Sequence, residues 1–247
     1  MQDIRDTFQK ELDELLLLAK GFIALINFGK FYLEKFDPNT EFSVHVRHES
    51  ESLPSVTSKL VNFGDILNIY GHNQSAIEEM IHTQLVQKWH DFLGKVYEQI
   101  LIEQLGGKKS YAALNNVSIK KIDLSTAEAN NIITKVQESA LSTFNFEPAD
   151  KRLDTIITAL ERKKTIPNEL KKAIQKHITV RNIFQHNNGV LRTDDIKKWD
   201  KGATEIKLLD KEAIPERKKA GDALIITYWE LEAVKQDFYK AASLLIP

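Results

Sequence analysis

The sequence predicts a mainly α protein: a helical bundle with a short β-hairpin near the C-terminus and an extra helical region at the N-terminus. Three observations carry this. Only 10 Gly and 6 Pro punctuate 247 residues, leaving few turns. Leu, Ile, Lys, Glu and Gln, all good helix formers or neutral in helices, are abundant. Over long stretches the apolar residues recur at intervals of three and four, the period of a helix with one buried face. A chain of this length buries one good core or two modest ones, and the pattern divides into an N-terminal helical region over 1–74 and a helical domain over 75–247.

Composition excludes some functions. With 34 basic against 35 acidic side chains, no global field draws the chain to nucleic acid or to a membrane, so any such binding uses a local patch. The absence of cysteine removes disulfides, thiolate catalysis and cysteine-based metal sites. The apolar run Leu15 to Phe28 is broken by Lys20 and Gly21 and reads as too short to span a bilayer. Acidic Glu11, Asp13 and Glu14 precede it, where a secretory signal carries basic residues. A cytoplasmic protein without a membrane partner is the expectation.

Taken in order, Ile4 to Phe36 places Phe8, Leu12, Leu15, Ala19, Phe22, Ile26 and Tyr32 at helical spacing, one long helix or a pair, with Gly21 and Gly29 as possible kinks and Pro38 beyond its end. Phe42 to His48 alternates apolar and polar, the pattern of a short half-buried strand. Its His45 and His48 read as exposed strand residues rather than metal ligands, because no further ligand cluster accompanies them. Pro54 to Tyr70 reads as a helix with Leu60, Phe63 and Leu67 inward, stopped by Gly71.

Ser75 and Glu78 form a capping box, each side chain placed to satisfy the other's free amide. The helix that follows carries Ile77, Ile81, Leu85, Trp89, Phe92, Val96 and Ile100 as far as Gly106-Gly107, the best structural spine in the chain. His82 and His90 on it read as surface or satisfied core residues. A polar connector with Lys108, Lys109, Lys120 and Lys121 leads to a second capping box, Ser125 and Glu128, and a helix to about Phe144. Pro148 opens the next helix, with Leu153, Ile156, Ile157 and Leu160 inward and Arg162, Lys163 and Lys164 at its solvated end. Glu205 to Leu208 and Leu224 to Thr227 are read as two short strands forming a hairpin ahead of a final helix, Tyr228 to Leu245.

Pro167 opens the helix that carries the candidate site, Val180 to Gly189, reading VRNIFQHNNG. At about 100° per residue, with Leu170 as zero, Ala173, Ile174, His177, Ile178 and Phe184 fall within roughly 80° of it, and Arg181 at about 20° stands on that apolar stripe. A cation there needs a carboxylate partner, a groove or a second surface, since an unpaired buried charge costs several kcal/mol. His186 lies at about 160°, well round from Arg181, a gap that narrows if the helix ends there; Asn187-Asn188-Gly189 is suited to such an ending. Alternatively each residue faces a second copy across a two-fold axis. A histidine in the last turn is favoured as imidazolium by the helix dipole, useful for an acid or base near neutral pH.

The run Arg181-Asn182-Ile183-Phe184-Gln185-His186 resembles the defining motif of the HEPN superfamily of all-helical domains, Arg with a polar residue after it and His four to six residues on. The continuation through Asn187, Gly189, Asp194, Asp195 and Ile196, and the segment Ala220 to Ile226, are similar to its phage-defence-associated members; the resemblance covers Ser75 to the C-terminus and does not reach residues before about 74. It implies a metal-independent endoribonuclease working as a homodimer, without cofactor, in phage defence or a toxin–antitoxin system, with RNA as substrate and an antitoxin or defence protein as a further partner. Arg181 and His186 would then be the catalytic pair and Asn182 their polar companion, and cleavage would leave a 2′,3′-cyclic phosphate. The same superfamily contains non-catalytic nucleic-acid- or protein-binding modules, the alternative expectation. A structural domain with Arg181 buried against a carboxylate is the third.

Overall fold

The computed structural model describes residues 1–48, 55–72, 75–111, 132–162 and 165–247. In chain order the elements are α1 (Gln2–Leu33), β1 (Glu41–His48), β2 (Ser55–Asn62), α2 (Phe63–His72), α3 (Ala76–Leu105), α4 (Ile132–Asn145), α5 (Ala149–Ala159), α6 (Asn168–Asn187), α7 (Thr193–Trp199), β3 (Glu205–Leu209), β4 (Pro215–Lys219) and α8 (Tyr228–Leu245). The chain is mainly helical, as the sequence predicts. It divides into two compact units, one of Met1–Leu16 with Glu78–Pro247, the other of Leu17–Ile77. The first sixteen residues therefore belong to the same compact unit as the C-terminal domain. Phe8, Leu12 and Leu16, spaced by four, are the reason: they bury one face of the first turns of α1.

The smaller unit departs from expectation. Ser55–Asn62 is a strand, paired antiparallel with β1 from Glu41↔Asn62 to His48↔Ser55, where a helix over Pro54 to Tyr70 is the sequence expectation. Val56, Thr57 and Val61 favour extended backbone, and a strand partner at Glu41–His48 outweighs the helical spacing of Leu60, Phe63 and Leu67. The extra N-terminal region is thus a helix, a hairpin and a short helix. The start signal of α2 is Asn62, whose Oδ1 accepts the Asp65 amide at 2.6 Å. Gly64 is required where its amide meets the Pro38 carbonyl at 2.8 Å, because a Cβ there would lie 3.1 Å from that oxygen. Phe36 stacks on Phe63 with centroids 5.0 Å apart.

α1 is one continuous helix through Gly21 and Gly29. It contains an 18-residue window of mean hydropathy 1.5, so by length and composition it is able to cross a membrane, which corrects the reading of Leu15 to Phe28 as too short. Leu17, Leu25 and Phe28 on it are 71%, 68% and 63% exposed. The metal question at His45 and His48 rests on side chains outside those described. So do the Ser125–Glu128 capping box and Lys120, Lys121, Lys163 and Lys164, which fall among residues outside the described ones.

In the larger unit α3 is the spine. Ile81, Leu85, Trp89, Phe92, Val96 and Ile100 are buried as the period predicts, and Val86, Leu93, Tyr97 and Leu101 bury a second stripe. The ring contacts show what covers them. Phe8 of α1 stacks on Phe92 at 4.5 Å, Phe238 of α8 lies parallel to Trp89 at 5.0 Å, and Phe144 of α4 stacks on Tyr97 at 4.1 Å. Pairs of this kind add about 0.5–1.5 kcal/mol beyond their burial.

A buried carboxylate fixes α6 against α8 and β3. Glu230, 1% exposed, accepts Lys176 Nζ at 2.7 Å through Oε1 and the Leu209 amide at 2.9 Å through Oε2. His177 Nε2 meets Asp237 Oδ2 at 2.8 Å beside it. The C-terminal hairpin is real but its second strand is Pro215–Lys219, paired with β3 from Glu205↔Lys219 to Leu209↔Pro215, and not Leu224 to Thr227. Leu224 and Ile226 do alternate inward with Ile225 outward; their segment pairs elsewhere, through the bridge Val190↔Ala223. β4 is polar and largely exposed, the composition of an edge strand, and so gave no apolar signal.

Removing Glu230 strands a buried ammonium and a strand amide together. Glu230→Ala should therefore cost about 3–5 kcal/mol in urea unfolding, and Glu230→Gln less. A loss below about 1 kcal/mol for Glu230→Ala would show that the network is not what holds α6.

Candidate functional site

The motif helix is built as its termini require. Pro167, at φ −63° and ψ 147°, leads into Asn168, and Asn188 closes the helix in the left-handed region at φ 49° and ψ 39°. Gly189 follows at φ 75°, where a Cβ would come within 3.0 Å of the Phe184 ring. Its amide turns back to the Ile183 carbonyl at 3.3 Å. The end is then tied down. Asn187 Nδ2 donates to Asp195 Oδ2 at 2.8 Å, and the Leu224 amide donates to the Gly189 carbonyl at 2.8 Å. The Asn-Asn-Gly ending expected from the sequence is present.

Arg181 opens onto a cleft of about 740 Å³ between α3, α4, α5 and α6. His90, Arg152, Asn145, Lys95 and Asn182 share its wall. The Arg181 guanidinium donates through Nη1 to Asn182 Oδ1 at 3.1 Å, so the polar residue after the arginine sets its orientation. No carboxylate among the described residues pairs with Arg181 or with Arg152 within 4.0 Å. The Nε atoms of both arginines and Nδ1 of His90 are buried without a hydrogen-bond partner. Burial lowers the pKa of both arginines, with Glu147 opposing this at Arg152. Burial first, then Arg152 and Arg181, holds His90 down to about 3. Asp91, the cleft's carboxylate, accepts Gln87 Nε2 at 2.8 Å.

A second cleft, of about 660 Å³, lies on the other side of α6 and shows the contrast. Its Lys172, Lys176 and Arg217 each have a carboxylate, Asp200 at 2.7 Å, Glu230 at 2.7 Å and Glu205 at 3.4 Å. Cations there are paired, whereas Arg152 and Arg181 of the first cleft have no carboxylate within 4.0 Å among the described residues.

Of the three residues singled out in sequence, Arg181 and Asn182 come together on the cleft and His186 does not join them. Helix α6 continues through Asn187, so His186 stays in a regular last turn, exposed, about 140° round from Arg181. The gap between the two therefore does not narrow within one chain. His186 lies one turn beyond Asn182 and about 40° further round from Arg181 than Asn182 does. No family model, no curated protein and no solved structure matches this chain.

Sequence reasoning missed Arg152 and set His90 aside, yet the signal for both was present. Arg152 stands four residues before Ile156 and seven before Ala159, both buried, so it occupies the apolar stripe of α5 as Arg181 does on α6. His90 stands between Val86 and Leu93 on the second stripe of α3. A polar side chain on an apolar stripe was the shared mark.

His90 makes stability pH-dependent. Its folded pKa, about 3, lies below the ordinary value of 6.5, so the unfolded chain binds a proton that the folded chain refuses. Stability is then full above about pH 6.5 and falls as pH drops toward 3, by up to about 1.4 kcal/mol per unit. His82, fully buried with neither nitrogen bonded and its pKa also lowered by burial, acts in the same direction. Urea midpoints measured between about pH 7.5 and pH 4.5 should fall less for His90→Gln than for wild type. Equal slopes would place the acid sensitivity elsewhere.

Proposed function

We propose that this chain is a metal-independent endoribonuclease of the HEPN type, acting as a homodimer on RNA in the cytoplasm, in phage defence or with an antitoxin. The observation that carries the proposal is Arg181: a guanidinium on the apolar stripe of its helix, oriented by Asn182, facing an open cleft with no carboxylate beside it. That arrangement also speaks against a purely structural role, which needs Arg181 buried on an acidic partner.

The chemistry follows from the side chains. His186 removes the proton of an RNA 2′-hydroxyl, whose oxygen attacks the adjacent phosphorus while the 5′-oxygen of the next nucleotide leaves and takes up a proton. The products are a 2′,3′-cyclic phosphate and a 5′-hydroxyl. Arg181 holds the non-bridging oxygens, where its planar fork stabilises the charge that develops in the transition state. Because His186 lies about 140° from Arg181 on one helix, the pair is completed by the imidazole of a second copy, each cleft receiving the other's His186.

That same separation favours an alternative, a non-catalytic helical module that binds RNA or a protein through the Arg181 face. Mixed RNA incubated with chelator separates the two. Wild type should cut it and leave 2′,3′-cyclic ends, His186→Ala should lose about 10²–10⁴-fold, and Arg181→Ala should be inactive at matched dimer content. DNA should survive. Cleavage that persists in His186→Ala, or that requires added magnesium, sinks the mechanism; binding without cleavage by wild type selects the alternative.

A further inference from the structure

We infer that the cleft walled by Arg152, Arg181 and His90 is a binding site for a phosphate group carried by a nucleotide, formed within one chain. The inference goes beyond Arg181's part at a scissile bond and stands whether or not RNA is cut. Three features of the walls point to an anion. Arg152 and Arg181 enter from different helices, α5 and α6, and neither meets a carboxylate among the described residues. Their Nε atoms and His90 Nδ1 are cut off from solvent and from protein partners. Each such nitrogen costs about 1–3 kcal/mol while walled in by the fold, and the guanidinium groups that carry two of them line the cleft.

Donor number decides between anions. Lys95, Arg152 and Arg181 outnumber Asp91 of the lining and Glu147, whose charge acts on Arg152, so the cleft stays positive with His90 neutral. A phosphomonoester carries about −1.5 to −2 near neutral pH and offers three acceptor oxygens, enough for two guanidinium forks and an imidazole N–H. A carboxylate offers only two oxygens, too few for both forks and the imidazole. At about 740 Å³ the cleft has room for a base and sugar beside the phosphate, with Asn145, Asn182 and Gln87 as hydrogen-bonding groups on its wall. In the opposite cleft, by contrast, Lys172, Lys176 and Arg217 each have a carboxylate within 4.0 Å.

The test uses the whole chain and no RNA. Inorganic phosphate, adenosine monophosphate, and a dinucleotide with and without a 5′-phosphate are titrated by calorimetry, with the His90 ring followed by NMR. Wild type should bind the phosphorylated probes, shift the His90 resonances, and bind the 5′-hydroxyl dinucleotide at least tenfold more weakly. If inorganic phosphate binds as tightly as the nucleotide, the site takes free phosphate and the nucleotide part of the inference is overturned. Arg152→Gln should weaken binding at least tenfold and Arg152→Lys should restore part of it. Lys172→Gln, in the opposite cleft, should change nothing. Should Arg152→Gln fail to fold, exposed Lys95→Gln serves, with a severalfold loss expected. No shift at His90, or equal binding by wild type and the cleft variants, overturns the inference. Phosphate binding without RNA cleavage would leave it intact while refuting the nuclease.

Discussion

Much of the larger unit depends on one buried carboxylate. Glu230 gives one oxygen to Lys176 and the other to the Leu209 amide, and so joins α6, β3 and α8 at a single point in the core. With Lys176 and His177 held on that side, the rotation of α6 about its axis is set. Arg181, five residues after Lys176 and so about 140° round from it, is thereby turned toward the cleft. The rotation of a helix is a matter of which side chains are pinned, and here the pins are Lys176 and His177.

The two sides of α6 show two ways of treating positive charge. On one, two lysines and an arginine are paired with Asp200, Glu230 and Glu205, of which the Lys176–Glu230 pair lies in the core. On the other, two arginines and a histidine are half-buried around open space with nitrogens unsatisfied. A fold tolerates such a cost when the groups meet a ligand, because a charge desolvated in advance binds its counter-charge with little reorganisation. The acid sensitivity of His90 has the same origin as its place in the cleft: burial and two neighbouring guanidinium groups.

How legible this was in the sequence differs by level. The helices α3, α6 and α8 could be read because each has one long apolar stripe ended by clear signals, Gly106-Gly107 for α3 and Asn-Asn-Gly for α6. Ser55–Asn62 could not, because a strand among helices is decided by its partner across the hairpin, and Leu60, Phe63 and Leu67 also fit a helical period. β4 escaped notice for lack of any apolar residue facing inward. At the site, the stripe position of Arg181 goes with its place on the cleft, whereas His186, five residues along an intact helix, lies on another face. Arg152 and His90 come from helices far apart in the chain, and only packing brings them to Arg181.

The most direct measurement is a crystal structure of the chain with a short RNA whose 2′-hydroxyls are methylated, so that it is held and not cut. The prediction is a phosphate against Arg181 and Arg152 in the cleft, with His186 of a second copy approaching the strand. RNA bound away from the cleft, or Arg181 folded onto a carboxylate with the cleft empty, would contradict it.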